Sequence, residues 1–234
     1  WFSAMAFAIS SRFWLTGNIS GYSIVGLCDI DKARLTQKGR EFKDAKQFTD
    51  YREMLDQLGD KVDIVTVSTP DHNHACAAIK AMKMKKHVYC QKPLTWSIRE
   101  ARMMREVAEE TGVVTQMGNQ GASGNGVKQM IKWFDEGKIG AVSKVHVWTN
   151  RPVWPQGNEM PKPDASLKPN GLNWDLWLGP ASDREFVPNL HPFNWRGWWD
   201  FGTGALGDVG CHLIDIPFRT LNLKYPTDAE CSVA

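Results

Sequence analysis

The chain of 234 residues is poor in the features that assign a class quickly. Its five cysteines, Cys28, Cys76, Cys90, Cys211 and Cys231, fall at irregular spacings without a Cys-x-x-Cys pair. That pattern argues against a disulfide framework and a zinc site, and for free, buried thiols. His72, His74 and Cys76 have no second ligand cluster at a compatible spacing, so no metal is expected. Neither sign of charge dominates, since 28 Lys and Arg against 26 Asp and Glu leave a formal +2 spread along the chain. A nucleic-acid partner is not expected from such a balance. No apolar run approaches the roughly 18 residues of a spanning helix, so no membrane insertion is expected. Internal repeats and low-complexity tracts are missing too. The opening WFSAMAFAI is apolar, with neither an initiating Met nor a basic flank. A signal remnant, a core strand or helix, and a cloning artefact all stay open for it.

Hydrophobic residues at 42% and charged residues at 23% suit a soluble globular chain long enough for one large domain or two modest ones. From 22 to 114, short β-rich runs alternate with helical patterns. YSIVGLCD reads as a strand and DKARLTQKGREF as a helix. TDYREMLDQL is a helix capped by Thr49 or Asp50, with Tyr51, Met54, Leu55 and Leu58 on one face. VDIVTVST is a continuous β-branched run, as in a strand buried on both faces. HNHACAAIKAMKM, KHVYC, SIREARMMREVAEETG (closed by Gly112) and VVTQM continue the alternation. Repeated βαβ units predict a doubly wound parallel sheet of the Rossmann kind over 1–118. A second domain is expected over 119–234, with a helix in GVKQMIKWFDEGKIG, a strand in VSKVHVWT and a strand beginning in TDAECSVA. Between them, 150–201 is rich in Pro, Asn and Trp and has little periodicity, which in a compact domain suggests a functional loop. Seven of the 11 tryptophans lie from Trp148 to Trp199. An aromatic-lined cleft and a bulky core both account for them. No GxGxxG phosphate loop precedes Tyr22, where Gly17 and Gly21 stand isolated. The sequence therefore has the pattern of a piece of a longer protein.

Candidate chemistry gathers at the carboxyl ends of the predicted strands, where ligands sit in open α/β sheets. Asp29 closes YSIVGLCD. It can accept from both hydroxyls of an adenosine ribose and repels a 2′-phosphate, which favours NAD over NADP. A helix cap is the alternative, and Asp31 competes for either role. Ser68, Thr69, Pro70 and His74 follow VDIVTV and could contact the cofactor, with Asp71 capping the next helix. A cap with solvated histidines is the plainer reading. Gln91 and Lys92 follow HVYC, where an ammonium could donate to a substrate hydroxyl or exchange protons. Asp208 and His212 stand at i and i+4 in GALGDVGCHLID. On a helix the carboxylate could orient the imidazole as a general base, or merely cap the helix beside a packed His.

Taken in order, LCDID, STPDHNH, HVYCQKPL and GDVGCHLID resemble the glucose–fructose oxidoreductase, inositol dehydrogenase and rhizopine-catabolism (Gfo/Idh/MocA) superfamily. MGNQG, WTNRPVWPQG, WDLWLGP and HPFNWRGWWDFGTGALGD resemble a bacterial subgroup of predicted dehydrogenases. The resemblance implies NAD(P)-dependent oxidation or reduction of a sugar or polyol hydroxyl. It also implies an α+β substrate domain whose open, mainly antiparallel sheet covers the cofactor and forms a homo-oligomer interface. By position, Lys92, Asp208 and His212 match the catalytic lysine, aspartate and histidine. Asn119 falls near the nicotinamide, and Trp195 and Arg196 fall on the cofactor and substrate side. The usual Glu-Lys-Pro is Gln91-Lys92-Pro93 here, which removes a charge beside the lysine.

On that reading His212 takes the hydroxyl proton, Asp208 holds its ring and Lys92 donates to the same oxygen. Trp154, Trp195 and Trp198 are candidates to stack on a carbohydrate, with Arg151, His191 and Asn194 bonding its hydroxyls. Packing is the competing role for each. A redox-assisted glycosidase or lyase that keeps its NAD could use the same three groups. A sugar-binding relative without catalysis stands as the reading from another class. Cytoplasm and periplasm both remain open as locations.

Overall fold

The computed structural model describes residues 5–10 and 23–232. Gly17 and Gly21 lie outside the described residues. The expected alternation is present as β1 (Met5–Ser10), β2 (Ser23–Cys28), α1 (Lys32–Glu41), β3 (Lys46–Phe48), α2 (Tyr51–Leu58), β4 (Ile64–Ser68), α3 (His74–Lys83), β5 (His87–Gln91), α4 (Ile98–Thr111) and β6 (Thr115–Gly118). After these come α5 (Asn125–Asp135), α6 (Trp174–Leu178), α7 (Gly204–Leu213) and α8 (Asp215–Thr220).

The strands form one sheet in the order β3-β2-β1-β4-β5-β6, that of a doubly wound dinucleotide fold. β2 and β3 pair in parallel, as do β4, β5 and β6. β1 takes the central place but runs against both neighbours, with Ala6 facing Cys28 on one side and Val67 on the other. The doubly wound sheet expected from the sequence is present, with β1 as its one antiparallel strand among the described residues. Residues 11–22 are all that separate β1 from β2, close to the dozen or so that a parallel crossover needs. An antiparallel pairing makes no such demand.

Helix ends follow local chemistry. Asp31 caps α1 by accepting from the amides of Ala33 and Arg34, and Asp50, not Thr49, caps α2 through Arg52 N. Ser97 and Glu100 form a capping box on α4, and Gly112 closes that helix at φ +67°, where a Cβ is unfavourable. The apolar face read for α2 is buried, with Met54, Leu55 and Leu58 at most 4% exposed. Val65 and Val67, which share one face of β4, are at most 1% exposed, whereas Ile64 and Thr66 on the other face are half-buried.

The chain divides into two compact units. One holds the residues up to Gly118 together with Pro152–Asp208; the other holds Asn119–Arg151 and the residues from Val209 onward. The chain thus leaves the first unit after Gly118 and returns to it for the 57 residues Pro152–Asp208. The returning segment builds its own core from Leu172, Trp174, Trp177, Phe186, Leu190 and Phe201, joined by Trp195 and Trp198. Trp174 and Trp177 stack at 4.5 Å.

This core settles the two roles considered for the tryptophans. Trp154, Trp195 and Trp198 are 5%, 2% and 8% exposed, and the Trp195 Nε1 donates to Pro192 O at 3.2 Å. Sugar stacking is corrected to packing for these rings. The second unit, taken by itself, contains α5 and α8 in mutual contact. Among its described residues no strand forms: VSKVHVWT, read as a strand, is irregular backbone, as are residues 227–232. A strand needs a neighbouring edge to satisfy its amides, and none is offered within the described residues. Val142, Val145 and Val147 are accordingly 39–45% exposed. The thiols divide as well. Cys28 and Cys90 are buried, whereas Cys76 and Cys231 are exposed.

Trp195→Ala is expected to act on stability, costing about 3–5 kcal/mol in denaturant unfolding, because it opens a cavity in a closed aromatic core.

Candidate active site

The first unit brings Lys92, Asp208 and Arg196 together. Lys92 leaves the carboxyl end of β5 and donates from Nζ to Asp208 Oδ1 at 2.6 Å and to the Asp208 carbonyl at 2.7 Å. Arg196 Nε donates to the same carboxylate oxygen at 3.2 Å. The guanidinium lies over the Trp195 and Phe193 rings at 4.3 and 4.6 Å, which fixes its plane. The side chains of Lys92, Asp208 and Arg196 are 15%, 13% and 18% exposed, so the pairing is largely shielded from solvent. Asp208 stands in the interior of α7, which excludes the capping role.

His212 follows one turn later on α7 and belongs to the second unit. Its Nδ1 lies 3.1 Å from Gln120 O. A carbonyl can only accept, so Nδ1 carries a proton; in the neutral ring Nε2 then holds the lone pair that a general base needs. The ring-orienting role expected of Asp208 is thus filled by a backbone carbonyl. In the same unit Asn119 donates from Nδ2 to Cys211 O at 2.8 Å, and its buried Oδ1 has no hydrogen-bond partner.

The segment Asp71–His74 does something the sequence reading missed. Asp71 does not cap α3, and instead turns inward, 2% exposed, to accept from Thr203 Oγ1 at 2.9 Å. Burial pushes its carboxyl up to about 7, against the pull of the Thr203 hydrogen bond and of Arg196. His72, expected to be solvated, is 1% exposed between Trp177 O at 2.8 Å and Phe201 O at 3.2 Å, and burial lowers it to about 4. Asn73 donates to Trp177 O at 2.9 Å. His74 is corrected from a cofactor contact to a clamp. Its two ring nitrogens lie 2.8 Å from Thr69 O and 2.8 Å from Pro93 O, tying the turn after β4 to the turn that carries Lys92. Polar side chains between a buried strand and a helix were visible in sequence, but the partners of Asp71, His72 and Asn73 lie over a hundred residues away.

Asp29 ends β2 at 2% exposure. Its Oδ1 accepts from Asp31 N at 2.9 Å, while Oδ2 is buried without a partner, as is Thr69 Oγ1 nearby. Both border a cavity of about 50 Å³ roofed by Leu176 and Trp177. An unmet carboxylate oxygen and an unmet hydroxyl suit vicinal hydroxyls such as those of a ribose. A whole nucleoside needs more room than this cavity offers. His191, expected to meet substrate, is half-buried and bonds Asp31 Oδ2 through Nε2 at 3.3 Å, which corrects it to a packing contact. Ser68 and Pro70 are buried, Gln91 and Asn194 are half-buried, and Arg151 is exposed in the second unit. Among the described residues no cluster of His, Cys, Asp and Glu could hold a metal ion, and no helix is long and apolar enough to cross a membrane.

Burial pushes the Asp29 carboxyl up from 3.8 to about 8. The fold thus favours the protonated acid, and stability is lost as pH rises from about 4 towards about 8. Asp29→Asn removes that penalty. In thermal melts without cofactor the variant is expected to exceed the parent at pH 8, with the gap closing near pH 4.

Two family models match this chain. The one described as oxidoreductase family, NAD-binding Rossmann fold, covers residues 7–119, and the one described as oxidoreductase family, C-terminal alpha/beta domain, covers 124–228. The scyllo-inositol 2-dehydrogenase (NAD(+)) of Bacillus subtilis is 32% identical over 126 residues, 54% of this chain and 36% of that protein. The 2,7-anhydro-N-acetylneuraminate hydratase of Escherichia coli is 38% identical over 98 residues, 42% of this chain and 26% of the relative. The chain thus spans well under half the length of these relatives. An oxidoreductase domain protein from Kribbella flavida superposes with a TM-score of 0.57 at 26% identity, covering 83% of this chain and 44% of that one. With its two matched regions, its strand order and the Lys92–Asp208 pair at a strand end, the chain belongs to the Gfo/Idh/MocA oxidoreductase family.

Proposed function

We propose that this chain serves an NAD-dependent oxidoreductase acting on a hydroxyl carbon of a sugar or polyol. The observation that carries the reading is the Lys92–Asp208 contact at 2.6 Å, held by Arg196 at the carboxyl end of β5. Bound NAD supplies the redox chemistry by accepting or returning a hydride. Asp29, through its unmet Oδ2, and Thr69 would hold the adenosine ribose, and Asn119 Oδ1 offers an acceptor towards the nicotinamide amide. His212, in the second unit, is the group that would take the hydroxyl proton when cofactor and substrate are bound. Lys92 donates to that oxygen and stabilises the negative charge developing on it. Asp208 holds the ammonium until substrate arrives. Asn194, in the turn before Arg196, and Arg151 are the polar groups offered to the remaining hydroxyls. The exposed valines at 142, 145 and 147 support assembly through the second unit.

A second reading is favoured by the hydratase among the relatives. Transient oxidation acidifies a neighbouring C–H, a group is eliminated or water added, and the hydride then returns. The same three side chains suffice for it.

Calorimetric titration of the full chain above pH 8, where Asp29 is ionised, is expected to give tighter binding of NAD than of NADP, since the carboxylate repels a 2′-phosphate. Tighter NADP would remove Asp29 from the ribose. Lys92→Ala and His212→Ala should each lower kcat by about a hundredfold or more while leaving NAD affinity within about tenfold. NADH released in step with product supports the dehydrogenase, and turnover without net NADH supports the second reading.

A further inference from the structure

The first turn of α7 is held from three sides. Ala205 N donates to Gln156 Oε1 at 2.9 Å, and Gly207 N donates to Thr203 O at 3.1 Å. The third hold is the buried Asp71 carboxylate, which accepts the Thr203 hydroxyl at 2.9 Å. Thr203 has a defined seat. A Cβ on Gly207 would collide with its side chain, so the glycine one turn later makes the room that Thr203 fills. The residue next to that glycine is Asp208, whose carboxylate and carbonyl both receive Lys92.

We propose that Asp71 and Thr203 are positioning residues for the Lys92–Asp208 pair, Asp71 fixing the Thr203 hydroxyl and Thr203 fixing the turn of α7 that presents Asp208 to the lysine. The inference rests on the reading of Lys92 and Asp208 given above. Neither residue touches the reacting atoms. Two features separate this device from ordinary packing. The hydrogen bond spans 132 residues of sequence, joining the turn after β4 to the helix that carries Asp208. Its acceptor is also a buried carboxylate, costly to keep in a protein interior unless its partner is specific. The Asp71 carboxyl is drawn towards ionisation by Thr203, Arg196 and Lys92 and away from it by burial and Asp208, so it shares the charge balance of the cluster it positions.

The test uses the full chain with Thr203→Val, Thr203→Ser and Asp71→Asn, compared at saturating NAD and polyol. Acetic anhydride labelling of Lys92, read by mass spectrometry, serves as a readout independent of turnover. Thr203→Val keeps the shape and removes the hydroxyl. It is expected to lower kcat about tenfold or more with KM changed less than about threefold, and to speed Lys92 labelling severalfold. Thr203→Ser and Asp71→Asn keep a donor and an acceptor respectively and should restore both values to within about threefold of the parent. Unchanged kcat and labelling in Thr203→Val would overturn the proposal, as would equal losses in the Val and Ser variants. If the parent turns over no polyol, the functional reading has failed. The labelling comparison then decides the positioning claim alone. Should Thr203→Val not fold, Gly207→Ala crowds Thr203 from the helix side. Faster Lys92 labelling in that variant supports the proposal, and unchanged labelling overturns it.

Discussion

Four consecutive polar side chains turned into the protein, Asp71 to His74, are the constraint on which the first unit depends. Each could have faced water at a strand-to-helix turn. Instead they reach Thr203, Trp177, Phe201, Thr69 and Pro93, so that one short turn fastens the returning segment, the loop of Lys92 and the start of α7. Buried polar groups are expensive when unmet, and satisfying them here requires carbonyls and a hydroxyl from four separate stretches of chain. The turn therefore forms correctly only when the rest of the unit has formed around it.

Stability and function pull apart most plainly at Asp29 and at the Lys92 cluster. Asp29 has a partner for one oxygen and none for the other, and the fold raises its affinity for a proton rather than supplying a donor. Lys92, Asp208 and Arg196 answer one another, but three charged groups held largely out of water cost more than an apolar patch of the same volume would. Packing alone would not retain either arrangement. Both make sense as surfaces prepared for hydroxyl groups that arrive with a ligand.

Much of the fold was legible in the sequence because local rules governed it. The apolar face of α2 and the left-handed glycine closing α4 depend on neighbours within a few residues. The candidate site was legible in part. Lys92, Asp208 and Arg196 could be named from short motifs, and the structure brings them together. What stayed hidden was set by distant partners. Asp71 looked like a helix cap because its true partner is 132 residues away. His74 and His191 looked like ligand contacts, and Trp154, Trp195 and Trp198 like a sugar platform, because sequence does not show which of two chemically suitable surroundings a side chain meets. The strand read in VSKVHVWT had the right alternation but no edge to pair with.

The reversed direction of β1 alters the electrostatics of the ligand edge. Ser10 at its end faces Ser23, the first residue of β2, so the carboxyl end of β1 lies away from Asp29, Thr69 and Lys92. In a sheet whose strands all run one way, the backbone amides of the turn after every strand add a positive field on the same side. Here the turns after β2, β4 and β5 lie on the ligand side. An anionic ligand at that edge also meets the side-chain charges of Lys92 and Arg196. Side-chain charges of that kind are screened by added salt over about 10 Å at 0.1 M, so ionic strength becomes a determinant of how such a ligand is held.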